Sequence, residues 1–127
     1  MSNKIPYEYA TIRLVPKVER QEFLNIGVIL YARHSSFLSM KTHLDPSKIK
    51  AFSPEIDIQL IKDYLTAWED ICLGAPKGGK IGQLETHVRF RWLTASRSTI
   101  IQSSAVHPGL CEDLSSKLED LYKRFVL

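Results

Sequence analysis

The chain holds only two cysteines, Cys72 and Cys111, in 127 residues, too few for a disulfide framework. Cys72 falls on an apolar helical face and Cys111 at a helix boundary, so both read as free, buried or half-buried thiols of a reducing compartment. No apolar run approaches the roughly 20 residues of a membrane span. Met1-Ser2-Asn3-Lys4-Ile5-Pro6 has no apolar leader core. No membrane association is therefore expected, and the expected location is cytoplasmic. There is no internal repeat, no low-complexity tract and no dense run of one charge. Seventeen Lys and Arg against fourteen Asp and Glu leave a net charge of +3, which allows nucleic acid as a partner without indicating it.

What is present is ordinary globular sequence, 44% hydrophobic and 24% charged. That is enough for one domain over residues 1–127 to fold around a single core without a metal or staple. Tyr7 to Val15 reads as a strand, with Ala10, Ile12 and Leu14 on one face and Tyr7, Tyr9, Thr11 and Arg13 on the other. Pro16 closes it. Phe23 to Ala32 is more apolar still, with Leu24, Ile26, Val28 and Leu30 on one side and Asn25, Gly27, Ile29 and Tyr31 on the other. Such a near-continuous run predicts a strand covered on both faces. Arg33–Ser36 suits a hairpin loop into a third strand, Phe37–Leu44.

Asp45-Pro46 caps a short helix through Phe52, and Ser53-Pro54-Glu55 repeats that signature. The second helix carries Ile56, Leu60, Tyr64, Trp68 and Ile71 at spacings of three or four, and ends at Gly74 and Pro76. Gln83 to Ala95 fits two periods. As a strand it alternates Leu84, Thr86, Val88, Phe90 and Trp92 against charged residues. As a helix it stacks Leu84, Val88 and Trp92 and sets Glu85 four residues before Arg89. The helix is the preferred reading by a narrow margin. Ser98–Ser103 is a later strand, Val106-His107-Pro108-Gly109 a turn, and Leu114, Leu118, Leu121, Tyr122 and Phe125 mark a final amphipathic helix. The expected fold is α+β: an antiparallel sheet of about four strands, a three-stranded meander plus a later strand, with helices packed on one face.

Motifs of chemistry are scarce. Gly74-Ala75-Pro76-Lys77-Gly78-Gly79-Lys80-Ile81 matches a phosphate-binding loop except at its end, where Ile81 replaces the magnesium-binding hydroxyl. It also follows a helix instead of a strand, so it reads as a mobile loop that ends that helix. His107 and Cys111, with His34, His43 and His87 elsewhere, lack zinc-ligand spacing. Glu19, Arg20 and Glu22 read as a solvated turn, and Glu112-Asp113 as the start of a helix. No catalytic residue, metal or cofactor is expected.

Arg89, Arg91 and Arg97 form the densest basic group, and arginine forks suit phosphate and carboxylate. On a strand Arg89 and Arg91 would share a face; on a helix they lie about 200° apart, and Arg89 pairs with Glu85. Asn25 and Gly27 interrupt an apolar strand, as a polar handle beside a close ligand approach or as a bulge. The candidate anion site is therefore Arg89, Arg91, Arg97 and His107 around a sheet edge near Asn25.

Four stretches taken together carry a resemblance. They are Tyr7-Glu8-Tyr9-Ala10 running to Pro16, Glu22-Phe23-Leu24-Asn25-Ile26-Gly27-Val28, Arg89 to Ala95 with Arg97-Ser98-Thr99, and His107-Pro108-Gly109. Their order and spacing resemble the bacterial domain-of-unknown-function family 3037 (DUF3037) over nearly the whole chain. Gln21 departs from the pattern, which would place a glycine before Glu22. The resemblance implies no catalytic residues. It implies a small bacterial protein associated with HipA-like kinases, and so a non-enzymatic accessory module that binds another protein. The alternative is an anion- or nucleic-acid-binding protein, possessing phosphate-ester chemistry if it is an enzyme, that uses the arginine group. Self-association through the face of Tyr7–Arg13 is a third expectation, and no oligomeric state is fixed.

Overall fold

Alternation along Ile5–Leu14 puts Ala10, Ile12 and Leu14 on one side of β1 (Ile5–Leu14) and Tyr7 on the other, and all four are buried. The computed structural model describes residues 4–127; Met1 to Asn3, part of the stretch read above for a leader, lie outside the described residues. β1 pairs antiparallel with β2 (Leu24–Ala32), which pairs antiparallel with β3 (Phe37–Thr42), giving the expected meander. The 33–36 loop is closed by Ser36 N donating to Arg33 O at 3.2 Å.

The far edge of β1 carries two strands, β4 (Ile101–Ser103) and β5 (His107–Cys111), both antiparallel to it. Ile12 faces Ser103 while Tyr9 faces His107, so three steps on β1 oppose four on the returning chain. That one-residue excess is a bulge. Ser104 stitches it: Thr11 N donates to Ser104 Oγ and Ser104 N to Thr11 O, each at 2.9 Å. The stretch read as a turn at Val106–Gly109 is thus largely strand, and the sheet has five strands. Proline and glycine disguise β5 for two reasons. Pro108 needs no donor partner on a strand that pairs only with β1. Gly109 leaves room for the Tyr7 ring, which a Cβ there would meet at 2.4 Å.

The helices cover both faces, a correction to the one-face expectation within an α+β antiparallel architecture that otherwise holds. On one face Ala10, Ile12, Leu14, Ile29 and Tyr31 pack with Ile49 of α1 (Pro46–Phe52), with Ile61, Leu65, Trp68 and Ile71 of α2 (Ile58–Leu73), and with Phe90 and Leu93 of α4 (Thr86–Leu93). On the other, Tyr7, Val28, Leu30 and Ala32 pack with Leu114, Leu118, Leu121 and Tyr122 of α5 (Leu114–Phe125). The physical reason is β2, whose apolar side chains on both faces require two covers. A register shift opposite Ile12 and Arg13 also moves Ile26 into the first cluster, away from Val28 and Leu30. Gly27 sits beside that shift. A Cβ there would lie 2.8 Å from Thr42 Cγ2 and 3.0 Å from Lys41 O, so the close approach is to β3.

α2 starts later than the Ser53-Pro54 signal suggests, because Asp57 caps it, accepting from Gln59 N and Leu60 N. Gly74, at φ 71°, terminates it. The glycine-lysine segment is no open loop: Pro76–Gly78 forms a 3-10 turn and Gly79–Gly82 a single helical turn, α3. The ambiguous segment is helical as α4.

Candidate functional site

The five residues singled out as an anion site take separate positions. Arg89 lies against the end of α2, its Nη1 donating to Ile71 O at 3.0 Å and to Cys72 O at 2.7 Å. Its Nε donates to Leu84 O at 3.0 Å. These are carbonyls of a helix end and of the following turn; Ile71 O also accepts from Gly74 N at 3.1 Å, and Arg89 serves as a clamp over the helix end. Its expected partner Glu85 approaches His87 Nδ1 instead, at 3.4 Å. Arg91 Nη2 donates to both carboxylate oxygens of Glu8, at 3.0 and 2.9 Å. Arg97 donates to Trp92 O and lies 4.1 Å over the Trp92 ring; burial lowers its pKa. His107 sits beside Tyr9, ring centroids 5.4 Å apart. Asn25 stands opposite Arg13 on β1, and its Oδ1 is buried without a hydrogen-bond partner.

A different set does converge. Register places Glu8 of β1 opposite Tyr31 of β2 and opposite Pro108 of β5. With Pro6, Leu110 and the hairpin residues Arg33 and His34 they line a groove of about 540 Å³. α4 borders it, because Phe90 stacks on Tyr31 with centroids 4.9 Å apart and Arg91 reaches down to Glu8. The opposite side of α4 carries Leu84 from the preceding turn, Val88 and Trp92, which are 42%, 37% and 39% exposed. Val88 and Trp92, four residues apart within α4, share one strip of its surface, and Leu84 lies just before the extended cap Glu85. The Arg91–Glu8 pair is solvent-exposed and contributes about 0–1 kcal/mol. Its consequence is positional: it ties the groove to the helix that bears the stripe. Apolar walls with a few convergent polar groups suit a binding surface.

Sequence reading places Tyr31 on a strand face and Arg33 and His34 in a hairpin loop, and weighs His34 only for a metal, but it does not bring them together with Glu8. The alternation of β1 and β2 gives the face of Glu8 and of Tyr31, but only the pairing register sets them opposite each other.

Nucleophilic chemistry finds little footing in the thiols. Burial pushes the Cys72 thiol up to about 12, against the opposing pull of the Arg89 guanidinium, and burial also raises Cys111. The two belong to apolar clusters on opposite faces of the sheet, which separates them as disulfide partners. Since the thiolate is the reactive form, Ellman's reagent at pH 7 is expected to leave Cys72 untouched in the folded protein and to titrate both thiols in denaturant. Rapid reaction of Cys72 without unfolding would contradict this burial. Among the described residues no three His, Cys, Asp or Glu side chains are grouped to hold a metal ion, and no helix is long and apolar enough to cross a membrane.

The chain belongs to the family described as protein of unknown function (DUF3037), whose family model matches residues 9–126. No curated protein and no solved structure matches it.

Proposed function

We propose that this protein is a non-enzymatic accessory module that binds another protein through the surface formed by α4 and the adjoining groove. The observation that carries this reading is the exposed pair Val88 and Trp92 on α4, with exposed Leu84 just before it, on a helix whose inner face is already filled by Phe90 and Leu93. Large apolar side chains turned away from the core, with an arginine beside them, have the composition favoured at the centre of protein interfaces. The groove adds aromatic and proline walls with Glu8 and Arg33 as charged anchors. The family's association with HipA-like kinases makes such a kinase the first partner to test, in a bacterial cytoplasm. The rival reading, Arg89, Arg91 and Arg97 gripping nucleic acid or a phosphate ester, draws less support from the geometry. Arg89 is held by backbone carbonyls and Arg91 by Glu8.

The test is titration of a purified HipA-like kinase from the same cell into wild-type protein and into Val88→Asp, by calorimetry. Saturable binding is expected for the wild type, weakened by at least about tenfold in the variant, because a carboxylate would be desolvated in the interface. A tagged pull-down from lysate, with and without nuclease, extends the search to other partners. Equal retention by wild type and Val88→Asp, or retention lost on nuclease treatment, would overturn the proposal.

A further inference from the structure

Arg13 has no hydrogen-bond or ion-pair partner among the described residues, although its Nε is buried. The other buried side-chain polar atom without a partner is Oδ1 of Asn25. The two residues stand directly opposite each other on β1 and β2, and Gln102 of β4 faces Arg13 from the other side. A row of Asn25, Arg13 and Gln102 therefore crosses three strands. Buried polar groups are otherwise satisfied almost everywhere in folded proteins, so the Arg13 Nε–H, a donor, marks a position where an acceptor is missing; Asn25 Oδ1 is itself an acceptor and borders a different cavity, with His43 and Lys48.

The space beside Arg13 is suited to receive one. A cavity of about 360 Å³ is lined by Arg13, Gln21, Phe23, Ser98 and Gln102 together with Val15 and Val18. A second cavity, of about 290 Å³, shares Ser98 and Gln102 with it and reaches Arg97. Neither is lined by a carboxylate. The Arg13 guanidinium lies 3.9 Å over the Phe23 ring, which holds its plane and leaves the fork unspent. Alternation along β1 turns Arg13 away from Ile12 and Leu14, so this place is on the opposite side of the sheet from α4.

We infer that the Arg13 cavity binds the phosphoryl group of a phosphate monoester. The Arg13 guanidinium, Ser98 and the side-chain amides of Gln21 and Gln102 line one cavity, an array of donors that suits a tetrahedral dianion with three terminal oxygens better than a planar carboxylate with two. Phe23 and Val18, 44% and 37% exposed at the rim, offer an apolar rest for the organic part of the ester. Arg13 faces the other side of the sheet from α4, which separates this site from the protein-binding surface; Arg97 of the adjoining cavity is the residue that reaches Trp92.

Phenyl phosphate, inorganic phosphate and benzoate titrated into 15N-labelled full-length protein at low ionic strength test it. Phenyl phosphate should shift the Arg13 Nε–H resonance and the Ser98 and Gln102 amides saturably, with inorganic phosphate acting more weakly at the same residues. Arg13→Gln should reduce affinity at least about tenfold, the loss expected with a charge-assisted hydrogen bond. Should that variant fail to fold, Arg13→Lys keeps the charge without the fork and should show the same direction of change. Val88→Asp should bind phenyl phosphate as the wild type does, which separates this inference from the proposed function. Absence of saturable shifts at these residues, equal binding of benzoate, or unreduced affinity in both Arg13 variants would overturn it.

Discussion

Phe90→Ala should destabilise the protein by about 3–5 kcal/mol, while Trp92→Ala two residues away should cost under about 1 kcal/mol. Phe90 has no exposed surface and stacks on Tyr31 between α4 and the sheet. Removing its ring leaves a cavity that helix and strand cannot both close. Trp92 is 39% exposed and touches Arg97 over its ring, a surface cation–π contact of about 0.5–1 kcal/mol. Urea unfolding at constant m-value checks both, and the thermal midpoint of Phe90→Ala should fall by about 10–20 °C. The contrast is diagnostic. On a strand Val88, Phe90 and Trp92 would share one face and lose comparable stability. Equal losses would also turn the stripe into core and remove the surface on which the proposed function rests.

That segment shows how far the sequence could be read. Leu84, Val88 and Trp92 favour a helix through their spacing of four; Thr86–Leu93 is a helix that holds Val88 and Trp92, while Leu84 lies before its cap. Yet the conspicuous stripe is the outer face, and the core face is the less regular Phe90 and Leu93. Periodicity reports which residues share a face and is silent on where that face points; tertiary packing decides that. β2 is legible in its burial on both sides, which calls for a second cover, although the expected fold has helices on one face; α5 supplies that cover. β5 was not legible, since Pro108 and Gly109 carry turn chemistry at a sheet edge that tolerates both.

The candidate sites were harder for the same physical reason. Composition singled out Arg89, Arg91 and Arg97 because they are near in sequence, but a helix sends neighbours to different sides. Arg13 attracted no notice as one polar residue in an alternating strand. Its significance comes from what stands across from it, Asn25 and Gln102, set by strand pairings over long sequence separations. Asn25 lies beside the register shift of β2 and its Oδ1 has no hydrogen-bond partner, whereas His107 lies beside Tyr9 in an edge strand.

Arg89→Met is the second substitution with a large expected effect, about 2–4 kcal/mol, with little direct effect on ligand binding. Hydrogen bonds to charged groups contribute about 1.5–3 kcal/mol each, are not additive, and weaken where water competes. Arg89 makes two of them to the last turn of α2 and another to Leu84 O, so methionine would keep much of the volume but remove these donors, with Ile71 O keeping only the Gly74 N–H. Gly74 is part of the same arrangement: a Cβ there would lie 3.1 Å from Arg89 Nη1, so the glycine that ends the helix also admits the guanidinium. Lysine carries its donors at one point instead of along a fork, and Arg89→Lys should recover less than half of the loss. Amide hydrogen exchange should show the damage first in residues 70–74 and in the turn before α4, because those segments are joined through this one side chain. A stable Arg89→Met protein with unaltered exchange there would mean that the carbonyls do not depend on the clamp. Arg89 would then be available to an anion after all, and the arginine-group reading would regain the residue whose internal bonding now argues most strongly against it.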